Sequence, residues 1–179
     1  MEKVRERLLR AVAALEGAGV RYAIAGGNAV AAWVTTIDES AVRNTRDVDV
    51  LLRREDFDKA RAALEGAGFF YRHTAALEVF LDGPDAKARD AVHVIFANEK
   101  VRDHEPMANP DVTDSETAGG FQVISLDALV RIKLTAFRDK DRTHLRDMLE
   151  VGLIDASWIE KLPPELGTRL RELIDDPNG

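Results

Sequence analysis

The spacing of apolar positions changes period several times along the chain, and each change marks an element. Val4, Leu8, Ala11, Val12 and Leu15 recur at helical spacing until Gly17 and Gly19, which predicts a first helix. Tyr22–Ala25 is a short apolar run, read as a strand. Gly26-Gly27-Asn28 then opens a helical stretch to about Val34, with Asn28 as a candidate cap. A polar connection over 35–44 leads to Asp-Val-Asp-Val-Leu-Leu at 47–52, a second strand. Residues 54–64 predict a helix that ends at Gly66 or Gly68. Two more strands are expected at 77–81 and 92–97, with Gly83-Pro84 marking the turn between them. Residues 99–120 are polar, with Pro106, Pro110 and paired glycines, and read as one long loop.

Residues 121–124 form a short apolar run, and Ser125 is placed to cap a helix. That helical pattern falters near 138–141 and resumes to Glu150. Small helices are expected at 158–162 and 165–174, on either side of Pro163-Pro164. Strands and helices interleave, so the expected class is α/β or α+β, a mixed sheet flanked by helices. At 179 residues one domain over 1–179 is expected, a sheet core to about 124 and a helical C-terminal part over 125–179. The string Ala-Ala-Leu-Glu-Gly-Ala-Gly occurs at 13–19 and 62–68, one helix-to-strand ending used twice.

Composition narrows the classes. Apolar content of 45% and charged content of 32% suit a soluble globular protein. No apolar run reaches the ~18 residues of a membrane span. The first residues carry both charge signs and lead into no long apolar stretch, so no signal peptide is expected. Cysteine is absent, which removes disulfides, thiolate metal sites and thiol redox chemistry, and a cytoplasmic location is the expectation. The net charge of −7 argues against a broad nucleic-acid surface. Residues 131–146 run against that trend: Arg131, Lys133, Arg138, Lys140, Arg142 and Arg146 face only Asp139 and Asp141. Such a local basic region suits a triphosphate or one end of an RNA, or is a solvated helix face.

The chemistry concentrates at 43–52. Alternation puts Asp47 and Asp49 on one strand face, with Cα atoms roughly 6.5–7 Å apart. Two such carboxylates repel each other and lose hydration unless a cation joins them, and Mg²⁺ favours oxygen ligands of this kind. About twenty residues earlier, the strand–Gly26-Gly27–helix sequence lets backbone amides approach an anion. Read jointly, the two suggest a phosphate held with Mg²⁺.

In this order and spacing, Gly26-Gly27 and Asp47-x-Asp49 resemble the nucleotidyltransferase fold of the DNA polymerase beta superfamily. Arg43 and Thr45 match the basic-x-Thr-x-Asp-x-Asp form of small bacterial members, and the nearest look is to minimal and AbiEii-like toxin-type nucleotidyltransferases. The resemblance covers about residues 20–150. It implies Mg²⁺ or Mn²⁺ at Asp47 and Asp49, and a nucleoside triphosphate contacted by Gly26, Gly27, Asn28, Arg43, Thr45 and Lys133. It also implies transfer of a nucleoside monophosphate to a hydroxyl of RNA, protein or a small molecule, and a partner of the toxin–antitoxin kind.

The chain departs from that pattern where the family carries a third carboxylate. His93 stands there, between Val92 and Val94, and is expected to point toward the aspartate pair. Imidazole suits Mn²⁺, Zn²⁺ or a general-base role better than Mg²⁺. Two roles stay open for it, site residue and hydrogen-bonded core histidine. Lys133, amid apolar residues, matches the lysine that toxin-type enzymes place at the phosphates, and the following Arg138-Asp-Lys-Asp141 and Asp147 also look like theirs. On an unbroken helix Lys133, Phe137, Lys140, His144 and Asp147 would share one line. The structural alternative for Lys133 is snorkelling, or pairing with Asp47 or Asp147. As an unpaired buried charge, its removal is expected to leave stability unchanged or raise it. The alternative to an enzyme is a non-catalytic relative that binds nucleotide or a partner protein.

Overall fold

Alternation along the central strands decides how the layers stack. In β1 (Tyr22–Ala25) and β2 (Val48–Leu52), Ala23, Ala25 and Leu51 face one core, while Tyr22, Ile24, Val48, Val50 and Leu52 face the other. The structure, a computed structural model, describes residues 2–74 and 77–177. Besides β1 and β2, its strands are β3 (Phe70–His73), β4 (Glu78–Leu81), β5 (Ala91–Phe96), β6 (Ser115–Ala118) and β7 (Phe121–Ile124). They form one mixed sheet in the order β3-β4-β5-β2-β1-β7-β6. β2 runs antiparallel to β1 and parallel to β5, and β1 runs parallel to β7.

Helices α1 (Glu2–Gly17) and α3 (Phe57–Gly66) cover one face, packing Leu8, Leu15 and Leu64 against Ile24, Phe80 and Val92. The other face carries α2 (Gly26–Thr35), α4 (Leu126–Ala136), α5 (Asp139–Glu150) and α6 (Pro164–Asp175), with Leu129, Leu134, Leu145 and Leu170 in its core. None of the helices among the described residues is long and apolar enough to cross a membrane.

Several elements differ from the periodicity reading. The 99–120 stretch is not wholly loop, because β6 lies within it and pairs with β7 across Gly119-Gly120. Both glycines have positive φ, 63° and 89°. β6 reads Ser-Glu-Thr-Ala and lies at the sheet edge, so it has no apolar alternation to reveal it. β3, at the opposite edge, is mostly exposed and equally silent. Asn28 is not a cap: α2 starts at Gly26 after Ala25, and the Asn28 amide is used elsewhere. Ser125 does cap α4, accepting the Ala128 amide at 3.2 Å. Phe137, at φ 48°, ends α4, and α5 starts afresh two residues later. Lys133 and Lys140 therefore belong to different helices, and the single line through Lys133, Phe137, Lys140, His144 and Asp147 does not exist.

On α5, His144 is half-buried, and its buried Nδ1 has no partner. Burial, and then the nearby Lys133 charge, pull its imidazole down to about 4. The unfolded chain takes up this proton near pH 6.5, whereas the folded protein resists it. The contribution is thus complete above pH 6.5 and is lost as pH falls toward 4. His144→Gln should flatten that slope: relative to the variant, wild type is expected to lose up to about 3 kcal/mol between pH 7 and pH 4. Urea unfolding of both proteins across this range checks it, and parallel stability curves would refute it.

Candidate active site

One rung of the sheet sets the geometry. Ala25 of β1 lies opposite Asp49 of β2, and Asp49 lies opposite His93 of β5. Asp47 precedes β2, and Asp49 and His93 face the side covered by α2, α4 and α5. One ligand atom each from Asp47, Asp49 and His93 lies within 4.8 Å of the other two, a group that could hold a metal ion. His93 Nδ1 is 3.5 Å from Asp49 Oδ1 and 3.8 Å from Asp47 Oδ2. Its Nε2 meets the Ala88 carbonyl at 2.7 Å. With Nε2 donating there, Nδ1 is left for the carboxylates, as a proton donor when charged or as a lone pair toward a cation when neutral. The two carboxylates and one imidazole thus make a donor set that fits a divalent ion.

The charges support one another. The hydrogen bond to Asp49 raises the His93 imidazole above its ordinary value; burial opposes this, and the Ala88 carbonyl and the aspartate charges assist it. Burial pushes the Asp49 carboxyl up, but His93, then Lys140 and Lys133, more than reverse this and hold it below the usual carboxylate range.

Three contacts fix Asp47. Asn28 Nδ2 donates to its carbonyl at 2.8 Å, Thr45 Oγ1 donates to its carboxylate at 2.9 Å, and the buried Arg7 of α1 donates to the preceding Arg46 carbonyl at 2.8 Å. The two glycines make room. Gly26 has φ +61°, and a Cβ there would stand 2.7 Å from Asp49 Cγ; a Cβ on Gly27 would stand 2.8 Å from Thr45 Oγ1. The amides of Gly26, Gly27 and Asn28, the first turn of α2, have no partners within the helix.

The group opens into a cavity of about 230 Å³ that Gly26, Lys133, Arg138 and Lys140 also line. Lys133 is buried but paired, with neither Asp47 nor Asp147: its Nζ meets Asp141 Oδ1 at 2.9 Å. Arg138 Nε meets the other oxygen of Asp141 at 2.7 Å. Burial pushes the Asp141 carboxyl up, but the Lys133 charge and the Arg138 hydrogen bond bring it below its ordinary value. The cavity thus gathers Gly26, Asp47, Asp49, His93 and Lys133; Gly27, Asn28, Arg43 and Thr45 are not among its lining. Gly27, Asn28 and Thr45 buttress the aspartates from behind. Arg43 points away, its Nε 2.6 Å from Asp147 Oδ2. Arg102 and Glu105, inside the polar 99–120 stretch, and the pairing of Asp141 with Lys133 are not expected from the sequence. The Asp141 clamp does carry signals, the family-like Arg138-Asp-Lys-Asp141 stretch and the faltering helical pattern there, but neither pairs Asp141 with Lys133.

No family model matches the sequence, and no curated protein sequence matches it. Solved structures do. The antibiotic-resistance factor ANT(2'')-Ia, in complex with adenylyl-2''-tobramycin, is similar at TM-score 0.61 and 15% identity, over 97% of this chain and 99% of that one. Its solution structure is similar at TM-score 0.60 and 14% identity, over 99% and 94%. A Helicobacter pylori protein inferred to be a nucleotidyltransferase is similar at TM-score 0.51 and 13% identity, over 98% of this chain and 76% of that one. The chain has the nucleotidyltransferase fold.

Two substitutions test this geometry. Gly26→Ala should cost the ~1–2 kcal/mol of a left-handed non-glycine residue and displace the Asp49 carboxylate. Calorimetry should then show Mn²⁺ binding weakened at least ~10-fold, the loss of roughly one 1.4 kcal/mol step; unchanged binding would separate Gly26 from the site. Lys133→Met leaves the buried Asp141 carboxylate to Arg138 alone and should destabilise by about 1–3 kcal/mol, contrary to the expectation for an unpaired lysine. Adding Asp141→Leu should recover much of that loss in thermal unfolding.

Proposed function

We propose that the protein is a metal-dependent nucleotidyltransferase that moves a nucleoside monophosphate from a nucleoside triphosphate to an acceptor hydroxyl. The observation that carries this reading is the Asp47–Asp49–His93 group at the first turn of α2, facing a cavity rimmed by Lys133, Arg138 and Lys140. Asp47, Asp49 and His93 are the residues to hold the ion. The imidazole nitrogen favours Mn²⁺ over Mg²⁺. The bound ion supplies charge neutralisation at the phosphates and alignment of the in-line displacement. Lys140, Arg138 and the backbone at Gly26 orient the triphosphate. Lys133 adds its charge beside them while it stays on Asp141.

A small hydroxyl compound is the favoured acceptor. The likeness to ANT(2'')-Ia, whose structure holds adenylyl-2''-tobramycin, spans 97% of this chain and 99% of that one. The net charge of −7 disfavours a long polyanion. RNA ends, a protein hydroxyl and an AbiEii-like role in a cytoplasmic toxin–antitoxin pair rest on the Arg43-x-Thr45-x-Asp47-x-Asp49 pattern, in which Arg43 is instead spent on Asp147. One observation favours a non-catalytic nucleotide binder: His93 and the Lys133–Asp141 pair already balance the charges of the site.

The test supplies each α-labelled triphosphate with Mn²⁺ or Mg²⁺, and with tobramycin, total RNA or water as acceptor. Release of pyrophosphate and a labelled product, faster with Mn²⁺ and abolished by Asp47→Asn, is expected. A nucleotide-induced thermal shift with no pyrophosphate from any combination would establish the non-catalytic reading instead.

A further inference from the structure

The transfer reaction needs a group to take the acceptor's proton, and the usual residues are occupied. Four carboxylates line the cavity: Asp47, Asp49, Glu105 and Asp141. Asp47 and Asp49 belong to the candidate metal group. Asp141 is held on both oxygens by Lys133 and Arg138. His93 has one ring nitrogen on the Ala88 carbonyl and the other on the aspartates, so neither reaches an acceptor. Glu105 alone is left. It is 8% exposed, yet among the described residues its carboxylate accepts a single long hydrogen bond, 3.3 Å from the Arg102 amide, and forms no ion pair. A carboxylate with so few protein partners keeps acceptor sites for a substrate.

The segment that carries Glu105 is pinned to the sheet. Asn109 donates through Nδ2 to the Phe96 carbonyl at 3.0 Å, and its amide donates to the Glu99 carbonyl at 2.8 Å. Asn98 in turn donates to the Asn109 carbonyl at 3.1 Å. Leu77, Ile95, Val101 and Met107 line the cavity together with Arg102, Arg138 and Lys140, so it offers both apolar and basic contacts.

We infer that Glu105 is the general base of this site, and that the acceptor hydroxyl binds between it and the Asp47–Asp49–His93 group. This rests on the transferase reading. The acceptor oxygen forms a bond to the α-phosphorus as the bond from that phosphorus to the β-bridging oxygen breaks. Pyrophosphate leaves with the electron pair, and the hydroxyl proton passes to the Glu105 carboxylate and then to solvent. The base thus comes from the 98–114 segment and not from β5, where His93 stands.

The test follows pyrophosphate release from ATP with Mn²⁺ and tobramycin, and with water as the only acceptor, in wild type, Asp47→Asn, Glu105→Gln and Glu105→Asp. Glu105→Gln should lower kcat at least ~100-fold while the KM for ATP and the affinity for Mn²⁺ stay within about twofold. Glu105→Asp, which keeps a carboxylate, should recover part of the rate. Thermal unfolding confirms that both variants are folded; if Glu105→Gln is not, the Glu105→Asp rate decides, a value equal to Asp47→Asn overturning the assignment. Wild-type turnover in Glu105→Gln, with Asp47→Asn inactive, refutes the base and leaves the transferase reading standing. No pyrophosphate from wild type with any acceptor ends both.

Discussion

The mutual repulsion of Asp47 and Asp49 is the constraint around which the rest is arranged. Two carboxylates at the start of β2, half withdrawn from water, need positive charge close by. The fold supplies it from three directions. β5 brings His93 into the rung beside Asp49, α2 brings its positive N-terminal turn, and α4 and α5 bring Lys133 and Lys140 close by. Each source lies on a different element, so the sheet order and the helix packing are needed together before the pair is tolerable. Neutral buttresses such as Thr45 and Asn28 then fix the direction in which the negative charge points.

The break at Phe137 shows how backbone conformation serves this arrangement. On a continuous helix Asp141 would lie eight residues beyond Lys133, roughly 12 Å along the axis at ~1.5 Å per residue. The left-handed residue turns the chain back, and the pair closes to 2.9 Å. The same turn presents Arg138 to the second oxygen of Asp141. A non-glycine residue in this conformation is uncommon, and Phe137 is held there by packing: its ring lies under the Arg142 and Arg169 guanidinium groups, at 4.4 Å and 5.3 Å.

What could be read from the residues follows physical lines. The central strands β1 and β2 are visible because both of their faces are buried, and alternation puts the Asp47–Asp49 spacing on one side. The likeness of Gly26-Gly27 and Asp47-x-Asp49 to nucleotidyltransferases named the fold that the solved structures confirm. The edge strands β3 and β6 escaped notice because edges need little apolar alternation. Asn28 looked like a cap because local pattern cannot distinguish a cap from a side chain reaching nineteen positions along the chain to the Asp47 carbonyl. The Lys133–Asp141 pair was hidden for a similar reason: the partner of a buried charge is a tertiary fact, and Asp47 and Asp147 were equally good candidates on paper. Glu105 lay in what reads as a polar loop, and only burial sets it apart from the other acids there.

Gly26 and Asp49 occupy one volume between them. The carboxylate fills the space in which any side chain at position 26 would begin. Position 26 cannot be exchanged first without disturbing position 49, since any side chain there displaces the carboxylate. Descent from this sequence to one with a different pair must pass through a shorter residue at 49, one that gives up the charge before the backbone is free to change. Any lineage that abandons the acidic site would therefore record it at position 49 before position 26.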